Sequence, residues 1–506
     1  MNRKTILYYC IAFFSGSAVL IIETMGVRIL APYLGAAYVV WVNIVGVILA
    51  ALAVGYWVGG MAADRTKKLL SPMFFLAALA VSLIPLERRM LPALGEQLGI
   101  RYGSLVASLL LFAPASALLG MVTPYLVKLA TDDPERVGES SGSVFAASTI
   151  GSIVATFGTG FVLIPRFSTT EIIWGVVVLL VALAFATALP VTIGKASVAL
   201  LSIGAVGAAQ WTSGGRGTII YEKDSQYYNI RVIERRLLGM PARVMLLDGS
   251  AQGAKFATGN GAALEGHAGY LLFPYVRLSA QLIDALKPEP NRLLAIGGGA
   301  YSIPEYIKVR YPESDVTVAE IDPAVTDAAR RFFLGPAAAG IRTLPADGRV
   351  VLNQMGGAKY DVIYTDAYNG AYSVPWHLAS REALIEMRDG LRDDGLLVVN
   401  IASGLEGETS AFFRAFWRTS AGLFPQAAIL ATKKDSPSST QNVIVVASRS
   451  VRPDFEEKLR AFEQNRYRRP VAVADVPTLT DVYAPTDSLI EPLVLAYYRY
   501  LREYME

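Results

Sequence analysis

The pattern of hydrophobic and polar positions divides the chain into two parts. Residues 1–212 contain apolar runs with few charges, and such runs are long enough to cross the hydrocarbon core of a bilayer as helices. Seven runs of this kind are present: 5–31, 38–63, 69–86, 103–130, 143–165, 171–190 and 196–212. The pattern therefore predicts an all-α transmembrane bundle of about seven helices in the first part of the chain.

Small and charged residues interrupt these runs. Glycine recurs in two of the predicted helices: Gly55, Gly59 and Gly60 in the second, and Gly151, Gly158 and Gly160 in the fifth. Because glycine lets helix backbones approach closely in lipid, we expect a packed bundle rather than isolated anchors. Glu23 and Arg28 lie inside the first run. We interpret them as a structural ion pair or as a polar surface facing the second part of the chain.

Short strands dominate residues 213–285. Apolar and polar positions alternate over 218–222 and 229–234, which is typical of half-buried strands. A third apolar run ends in Asp248-Gly249, a hairpin turn signal. This segment therefore predicts a small antiparallel β-sheet.

Residues 286–506 alternate apolar strands with helical segments. The strands are predicted at 293–296, 316–320, 360–366 and 396–401. Such alternation is typical of a parallel sheet with helices on both faces. The last domain is therefore predicted to be an α/β domain with a Rossmann-like parallel sheet, preceded by the small sheet.

Composition supports this division. Hydrophobic residues make up 53% of the 506 residues and charged residues 18%, and the mean hydropathy is +0.39, which excludes a disordered chain. Only 22 charged residues lie in 1–212, against 67 in the remainder. Neither part is basic enough to predict a nucleic-acid partner. With one cysteine and two histidines, the sequence predicts neither an internal disulfide nor a metal site.

Basic residues in the predicted short loops indicate the orientation of the bundle. Eight lie on the side of the N-terminus and four on the other side. Since basic loops favour the cytoplasmic side, the N-terminus is predicted to be cytoplasmic. Seven spans would then place the second part outside the cytoplasm. The sequence leaves open which side of the membrane that part faces.

A glycine-rich turn, Gly297-Gly298-Gly299, follows the first strand of the α/β region. Glycines there let a ligand approach the backbone in front of a helix N-terminus. Glu320 lies 23 residues past Gly297 at the end of the next strand, where an acidic residue can hold ribose hydroxyls. The pair predicts a nucleoside ligand, either a dinucleotide or S-adenosylmethionine.

Residues 218–405 resemble the spermidine synthases, which are aminopropyltransferases built on a methyltransferase-like fold. Four ordered motifs carry the resemblance: Leu247-Asp248-Gly249-Ser250-Ala251-Gln252, the glycine turn with Glu320-Ile321-Asp322, Asp347-Gly348, and Asp366 at the first aspartate of the family's DxxD loop. The whole chain resembles a bacterial group in which a membrane bundle is fused to such a domain. Two further motifs recur in that group: Asp366-Ala367-Tyr368 and Pro375-Trp376-His377-Leu378.

The resemblance implies a role for each matching position. Glu320 would hold the ribose hydroxyls, and Asp347 with Gly348 would contact the adenine. Asp366 would be a catalytic residue. Tyr228 does not match the family residue, and we predict it as the second catalytic residue because its hydroxyl could hydrogen-bond the substrate's tail. The remaining predicted binding residues are Gln252, Tyr270, Gly297, Gly298, Gly299 and Tyr368.

The resemblance also implies the setting of the protein. It would be a multi-pass protein of the bacterial inner membrane, with the lipid bilayer and a small-molecule substrate as partners. No cofactor is expected beyond S-adenosylmethionine or its decarboxylated form, and no metal. A homodimer is left open.

Four positions depart from the family pattern, all in the half of the site that binds the amine. Ala300 replaces one aspartate, Asn369 replaces the second aspartate of DxxD, and Leu272 replaces a glutamate. Tyr228 replaces a glutamine. Without those carboxylates a buried diamine would be held poorly. Alanine at position 300 would also admit the carboxylate of intact S-adenosylmethionine.

Three classes of function follow. The favoured hypothesis is a lyase that cleaves the Cγ–S bond of S-adenosylmethionine, in which the substrate's own carboxylate attacks Cγ to give homoserine lactone and 5′-methylthioadenosine. Asp366 would then hold the substrate's ammonium group. The alternative in this class is aminopropyl transfer from decarboxylated S-adenosylmethionine to an amine. A methyltransferase and a transporter or sensor that only binds the nucleoside are the other classes.

Overall fold

The chain divides into two compact units, Met1–Gly215 and Arg216–Glu506. The computed structural model describes residues 3–34, 38–66, 68–87, 90–131, 134–187, 218–237, 239–257, 271–355, 359–368 and 374–505. The predicted span 196–212 and the predicted site positions Tyr270 and Asn369 lie outside these ranges.

The first unit consists of helices over its described residues. They are α1 Arg3–Leu34, α2 Tyr38–Arg65, α3 Leu70–Glu87, α4 Leu91–Leu111, α5 Ala113–Ala130, α6 Val137–Gly158 and α7 Thr169–Ala186. A π-helical turn continues α6 as far as Arg166. In the described ranges five of these helices (α1, α2, α5, α6 with its extension, and α7) are long and apolar enough to cross a membrane, and α3 is a shorter apolar helix. The helical bundle is present, but the predicted count of seven spans is not confirmed.

The predicted span over 103–130 is wrong as a single helix. Two helices, α4 and α5, meet there at Phe112. Pro114 lacks an N–H group and its ring clashes with the carbonyl four positions earlier, so a continuous helix is interrupted at this point. The first of the two helices also begins before the predicted span and bends at Gly99, where φ is 71°.

Glycines bring helix backbones together at several predicted positions. A Cβ on Gly151 of α6 would lie 2.0 Å from the Phe13 carbonyl oxygen of α1, and Ser17 Oγ donates to the Gly151 carbonyl at 2.9 Å. A Cβ on Gly55 of α2 would lie 2.2 Å from the Ala117 carbonyl oxygen of α5. The predicted close packing is confirmed there. Three other glycines would meet no described atom within 4 Å of a Cβ: Gly60, Gly158 and Gly160.

The second unit opens with a four-stranded antiparallel sheet, which confirms the sequence prediction. Its strands, in spatial order, are β1 Thr218–Asp224, β2 Asn229–Leu237, β3 Met240–Leu247 and β4 Ser250–Phe256. The turn between β3 and β4 has φ of 48° at Asp248 and 79° at Gly249, the left-handed geometry of a two-residue hairpin. Asp248 Oδ1 also accepts the Asn229 N–H at 2.9 Å, which ties the turn to β2.

An eight-stranded sheet forms the centre of the second unit. Its strands are β5 Arg292–Ile296, β6 Asp315–Ala319, β7 Arg342–Leu344, β8 Tyr360–Thr365, β9 Leu391–Ser403, β10 Gln426–Ala431, β11 Gln441–Ser448 and β12 Arg466–Tyr467. The spatial order is β12-β10-β11-β9-β8-β5-β6-β7. The five strands from β9 to β7 run parallel, whereas β11, β10 and β12 are antiparallel additions. The predicted Rossmann-like domain is therefore confirmed.

Helices cover both faces of this sheet. They are α8 Pro274–Leu286, α9 Ser302–Arg310, α10 Pro323–Phe332, α11 Gly348–Gln354, α12 Trp376–Ala379, α13 Arg381–Gly390, α14 Ala411–Ser420, α15 Phe455–Leu459 and α16 Thr486–Met505. Val362 and Val398 join one hydrophobic cluster with α8 and the small sheet. Ile363 and Leu397 join the other, with α13 and α14. Because successive strand residues point to opposite faces, β8 and β9 are buried on both sides.

The strand order reverses between β5 and β8. From β5 the chain continues outward to β6 and β7, while β8 and β9 lie on the other side of β5. In open α/β sheets, ligands bind at the carboxyl ends of the strands at such a reversal. Gly297 and Asp366 are the first residues after these two strands, and the Asp366 N–H donates to the Ile296 carbonyl at 2.9 Å. The predicted chemistry therefore lies at the reversal point.

Candidate functional site

A cavity of about 300 Å³ lies at the carboxyl ends of β5, β6 and β8. Its size is at the lower end of the usual range for small-molecule sites. Ten of the predicted site residues line it: Tyr228, Gln252, Gly297, Gly298, Gly299, Glu320, Asp347, Gly348, Asp366 and Tyr368. The fold thus brings together positions that are far apart in the sequence. The remaining predicted residue, Tyr270, lies outside the described residues.

The turn after β5 depends on two glycines with positive φ, Gly297 at 91° and Gly299 at 50°. A Cβ on Gly297 would lie 2.6 Å from the Asp366 carbonyl oxygen. The ends of β5 and β8 therefore approach too closely for a side chain at this position. The turn leads into α9 through Tyr301, whose hydroxyl lies 2.8 Å from Thr326 Oγ1. Main-chain atoms of the turn are thus left facing the cavity.

Glu320 is 6% exposed and its carboxylate is held by the backbone. Oε2 accepts the Gly298 N–H at 2.8 Å, and Oε1 accepts the Asp322 N–H at 2.9 Å. Burial raises the pKa of Glu320, while these N–H donors favour its ionised form. The Gly299 N–H also donates to this carboxylate. Since two carboxylate oxygens offer about four acceptor positions, Glu320 keeps the capacity to accept a hydrogen bond from the ligand.

Asp347 begins α11, where its Oδ1 accepts the Arg349 N–H at 2.7 Å. Oδ2 lies 3.0 Å from His377 Nε2, and this hydrogen bond holds the pKa of Asp347 below its usual value. His377 also lines the cavity and meets the ring of Trp376 edge-on. The carboxylate predicted to contact adenine is therefore fixed in orientation by two donors.

Asp366 accepts hydrogen bonds from three side chains. Asn400 Nδ2 donates to Oδ1 at 2.7 Å, and the Tyr364 hydroxyl donates to Oδ2 at 3.1 Å. The Tyr275 hydroxyl donates to the same carboxylate. Burial raises the pKa of Asp366, and the three donors partly oppose that rise. A buried carboxylate that faces a cavity and has a raised pKa is suited to accept a proton.

The hydroxyls of Tyr228 and Tyr368 are bound to the main chain. The Tyr228 hydroxyl donates to the Tyr368 carbonyl at 3.1 Å. The Tyr368 hydroxyl donates to the Asn400 carbonyl at 2.9 Å and accepts the Ala402 N–H at 2.8 Å. Burial raises the pKa of both tyrosines, so both stay protonated at neutral pH. They order the segment after β8, and the catalytic role of Tyr228 stays a prediction.

In addition to Tyr228, two of the positions that depart from the family pattern lie within the described residues: Ala300 and Leu272. Ala300 lines the cavity, and its Cβ lies 2.3 Å from the place that a Cβ on Gly253 would take. Strand β4 therefore packs directly against the glycine-rich turn. Leu272 precedes α8 and is partly buried.

Sequence reasoning missed three side chains that surround Asp366. Asn400 is a polar residue inside the apolar run 396–401, and that signal could have identified it. Tyr275 and Tyr364 carry no comparable signal, because tyrosine is common in partly buried positions. Their role depends on the packing of α8 against β8, which the sequence pattern does not specify.

The charges of the cavity have one sign. Its described lining contains the carboxylates of Glu320, Asp347 and Asp366 and includes neither lysine nor arginine. Opposite charges stabilise each other in a partly buried site, and like charges destabilise each other. The described lining therefore favours a cationic ligand over one that carries a carboxylate.

Comparisons with known proteins agree with this geometry. The chain is 36% identical over 209 residues to a polyamine aminopropyltransferase of Vibrio vulnificus, covering 40% of this chain and 66% of that protein. It is 33% identical over 132 residues to a probable polyamine aminopropyl transferase of Bifidobacterium longum, covering 26% of this chain and 29% of that protein. The chain thus spans just under two thirds of the first relative and less than a third of the second.

A solved structure described as a probable spermidine synthase from Corynebacterium glutamicum is also similar. It has 19% sequence identity and a TM-score of 0.43, over 54% of this chain and 99% of that chain. No family model matches the chain. The ordered motifs, their meeting in one cavity and the identity to curated relatives lead to one conclusion: the second unit of the chain is spermidine synthase-like.

Proposed function

We propose that the second unit transfers an aminopropyl group from decarboxylated S-adenosylmethionine to an amine. One observation carries this proposal. A buried carboxylate, Asp366, faces the same cavity as the glycine-rich turn and Glu320, and the described lining contains no cationic side chain. Both partners in this reaction are cations before they react, since one is a sulfonium and the other an ammonium.

The reaction needs one bond to form and one to break. The ammonium first gives one proton to the Asp366 carboxylate, and the lone pair that this frees on nitrogen forms a bond to the aminopropyl carbon that is attached to sulfur. The carbon–sulfur bond breaks and its electron pair stays on sulfur, which gives the neutral thioether 5′-methylthioadenosine. The product nitrogen keeps its remaining protons and carries the positive charge, while the proton taken first stays on the Asp366 carboxyl. Glu320 and Asp347 would hold the ribose and the adenine throughout.

The lyase hypothesis loses its physical basis at this site. It requires the carboxylate of intact S-adenosylmethionine to enter the cavity and reach Cγ. The described lining offers that carboxylate three like charges and no lysine or arginine. The named relatives are aminopropyltransferases as well. We therefore replace the lyase hypothesis by the alternative of aminopropyl transfer.

We further propose that the first unit holds the enzyme in a lipid bilayer. Five described helices have the length and apolar composition for this. No cofactor beyond the sulfonium substrate is needed for the step described above. A homodimer stays a prediction.

The decisive experiment uses the full chain in detergent with decarboxylated S-adenosylmethionine and putrescine. We expect 5′-methylthioadenosine and spermidine in equal amounts, and neither when the amine is omitted. Asp366→Asn should lower kcat by about 10²- to 10⁴-fold, the usual contribution of a general base. Asp393→Asn, at a carboxylate whose side chain is 96% exposed, should leave kcat unchanged.

Other products would contradict the proposal. Methylthioadenosine formed from intact S-adenosylmethionine alone would restore the lyase. S-adenosylhomocysteine as the nucleoside product would instead indicate methyl transfer. Binding of methylthioadenosine without turnover of either sulfonium would leave a nucleoside-binding protein.

A further inference from the structure

A row of polar side chains crosses three neighbouring strands beside the cavity. Asp366 directly follows Thr365, the last residue of β8, which is opposite Val399, so Asp366 lies beside Asn400 of β9. Asn442 of β11 is opposite Ala402, two residues along from Asn400 on the same face of the sheet. The row therefore runs from β11 through β9 to the carboxylate after β8.

Hydrogen bonds fix the orientation of the central amide in this row. Asn442 Nδ2 donates to Asn400 Oδ1 at 3.1 Å. With its oxygen occupied in that direction, Asn400 turns its NH₂ group to Asp366 Oδ1, at 2.7 Å. Asn400 is only 4% exposed, so solvent does not compete for these groups.

The two oxygens of Asp366 therefore meet different partners. An amide NH₂ can only donate, and a carboxyl oxygen that carries a proton is a poorer acceptor than an ionised one, so a proton on Asp366 Oδ1 would weaken its hydrogen bond from Asn400. Tyr364 at Oδ2 has a hydroxyl, which can donate to an ionised oxygen or accept from a protonated one. A proton is thus favoured on Oδ2 over Oδ1.

We propose that Asn400 is a positioning residue, held by Asn442, that keeps Asp366 Oδ1 as an acceptor and directs the incoming proton to Oδ2. The amine as the source of that proton rests on the proposed function. The arrangement of the two oxygens does not, because it follows from the hydrogen bonds alone. The inference extends the site to β11, beyond the segment 218–405 that carries the family motifs.

The test is a variant at position 442 that should turn the Asn400 amide around or weaken its hydrogen bond to Asp366. In Asn442→Asp the side chain at 442 can no longer donate, so Asn400 either turns its NH₂ group to residue 442 or leaves its oxygen opposed by a carboxylate. Both arrangements weaken the donor at Asp366 Oδ1. We expect the pKa of Asp366 to rise by about one unit, a tenfold change in proton affinity.

The readout is the infrared absorption of the protonated carboxyl, assigned by its loss in Asp366→Asn. The titratable groups facing Asp366 are Tyr364 on β8, Tyr275 at the start of α8 and Tyr368 after β8, and all three stay protonated near neutral pH. Their hydroxyls therefore do not contribute a competing titration to this signal.

Two controls separate the amide from a simple effect of charge. Ser436→Asp adds the same charge to an exposed position of the β10–β11 hairpin and should leave the titration of Asp366 unchanged. In an Asn400→Leu background, Asn442→Asp should lose most of its effect, because the amide that transmits it is gone. Asn442→Ala, which only removes a donor, should shift the titration in the same direction by a smaller amount and serves if the charged variant does not fold.

The outcomes distinguish this inference from the proposed function. An unchanged titration in Asn442→Asp, or an equal shift in the Asn400→Leu background, would overturn the positioning role even if the enzyme makes spermidine. The expected shifts in a protein that makes no spermidine would sustain the positioning role and refute the proposed function. Where both hold, Asn442→Asp should also lower kcat while leaving the affinity for methylthioadenosine unchanged.

Discussion

At the scale of single residues, hydrogen bonds within the chain orient the carboxylates of the site before any ligand enters. Main-chain N–H groups donate to Glu320, main-chain N–H groups and the His377 ring donate to Asp347, and three side chains donate to Asp366. Each carboxylate is therefore oriented in advance. A ligand then adds hydrogen bonds to groups that have little conformational entropy left to lose.

Glu320 provides the first test at this scale. Glu320→Ala removes a charged acceptor for the ribose hydroxyls and should weaken methylthioadenosine binding by about 1.5–3 kcal/mol, the range for hydrogen bonds to charged groups. Calorimetry on the full chain measures this loss. Asp315→Ala, at the opposite and exposed end of β6, should bind as tightly as the unchanged protein. Equal affinity in both variants would show that the ribose binds elsewhere.

The pKa of Asp366 provides the second test at the scale of single residues. Burial raises it above the ordinary value for aspartate, so the carboxyl should stay protonated to a higher pH than an exposed one. Only the ionised form accepts a proton, and its capacity to act as a base is therefore lost as the pH falls through this raised pKa. The infrared difference between the unchanged protein and Asp366→Asn measures the titration. A midpoint at or below that of an exposed aspartate would contradict the assignment.

At the scale of elements, the site is made by strand ends that meet at the reversal of strand order. The glycine-rich turn after β5 and the acidic end of β8 touch through main-chain atoms. A side chain at Gly297 would separate them, whatever its chemistry. The geometry of the cavity therefore depends on the absence of a side chain at Gly297.

Gly297→Ala tests this contact. The change combines a positive φ with a Cβ 2.6 Å from the Asp366 carbonyl oxygen, and strain of this kind costs about 1–3 kcal/mol. We expect a lower unfolding temperature of the second unit and loss of methylthioadenosine binding. Gly422→Ala is the matched control, since Gly422 has φ of 73° and no described atom within 4 Å of a Cβ. If the unfolding temperature fell no further in Gly297→Ala than in Gly422→Ala, the approach of the new Cβ to the Asp366 carbonyl oxygen would carry no cost in stability.

At the scale of the whole molecule, the chain joins an apolar helical unit to an α/β unit of ordinary soluble composition. The two units have separate sets of internal contacts, and the boundary lies at Gly215–Arg216. The charged residues follow the same division, with most of them in the second unit. The first unit therefore has the composition of a protein that contacts lipid, and the second has that of a protein that contacts water.

Truncation tests this division. Residues 216–506 alone should stay in the aqueous supernatant after ultracentrifugation, because the second unit has its own hydrophobic clusters on both faces of its sheet. The full chain should sediment with membranes, resist alkaline carbonate and be released by detergent. Reduced turnover by the truncated protein would indicate a catalytic role for the bundle, as the sequence interpretation of Glu23 and Arg28 suggests. Full turnover would exclude that role.

Local sequence patterns determined much of this protein. Apolar runs predicted the helical unit, alternation at 218–234 predicted the antiparallel sheet, and strand–helix alternation predicted the Rossmann-like domain. The motifs placed Gly297, Glu320 and Asp366 after strands, and parallel strands end at one edge. These features can be predicted from the sequence because each depends on residues that are close together in the chain.

The tertiary structure decided the rest. Two helices occupy 103–130, since a proline outweighs the apolar pattern there. The donors around Asp366 come from α8, β8 and β9, and the amide that orients one of them comes from β11. The longest of these contacts joins Tyr275 to Asp366, 91 positions further along the chain, and no local pattern encodes which side chains will meet. The sign of the charge in the described cavity lining also emerges only after folding, because it depends on which carboxylates the reversal of strand order brings together.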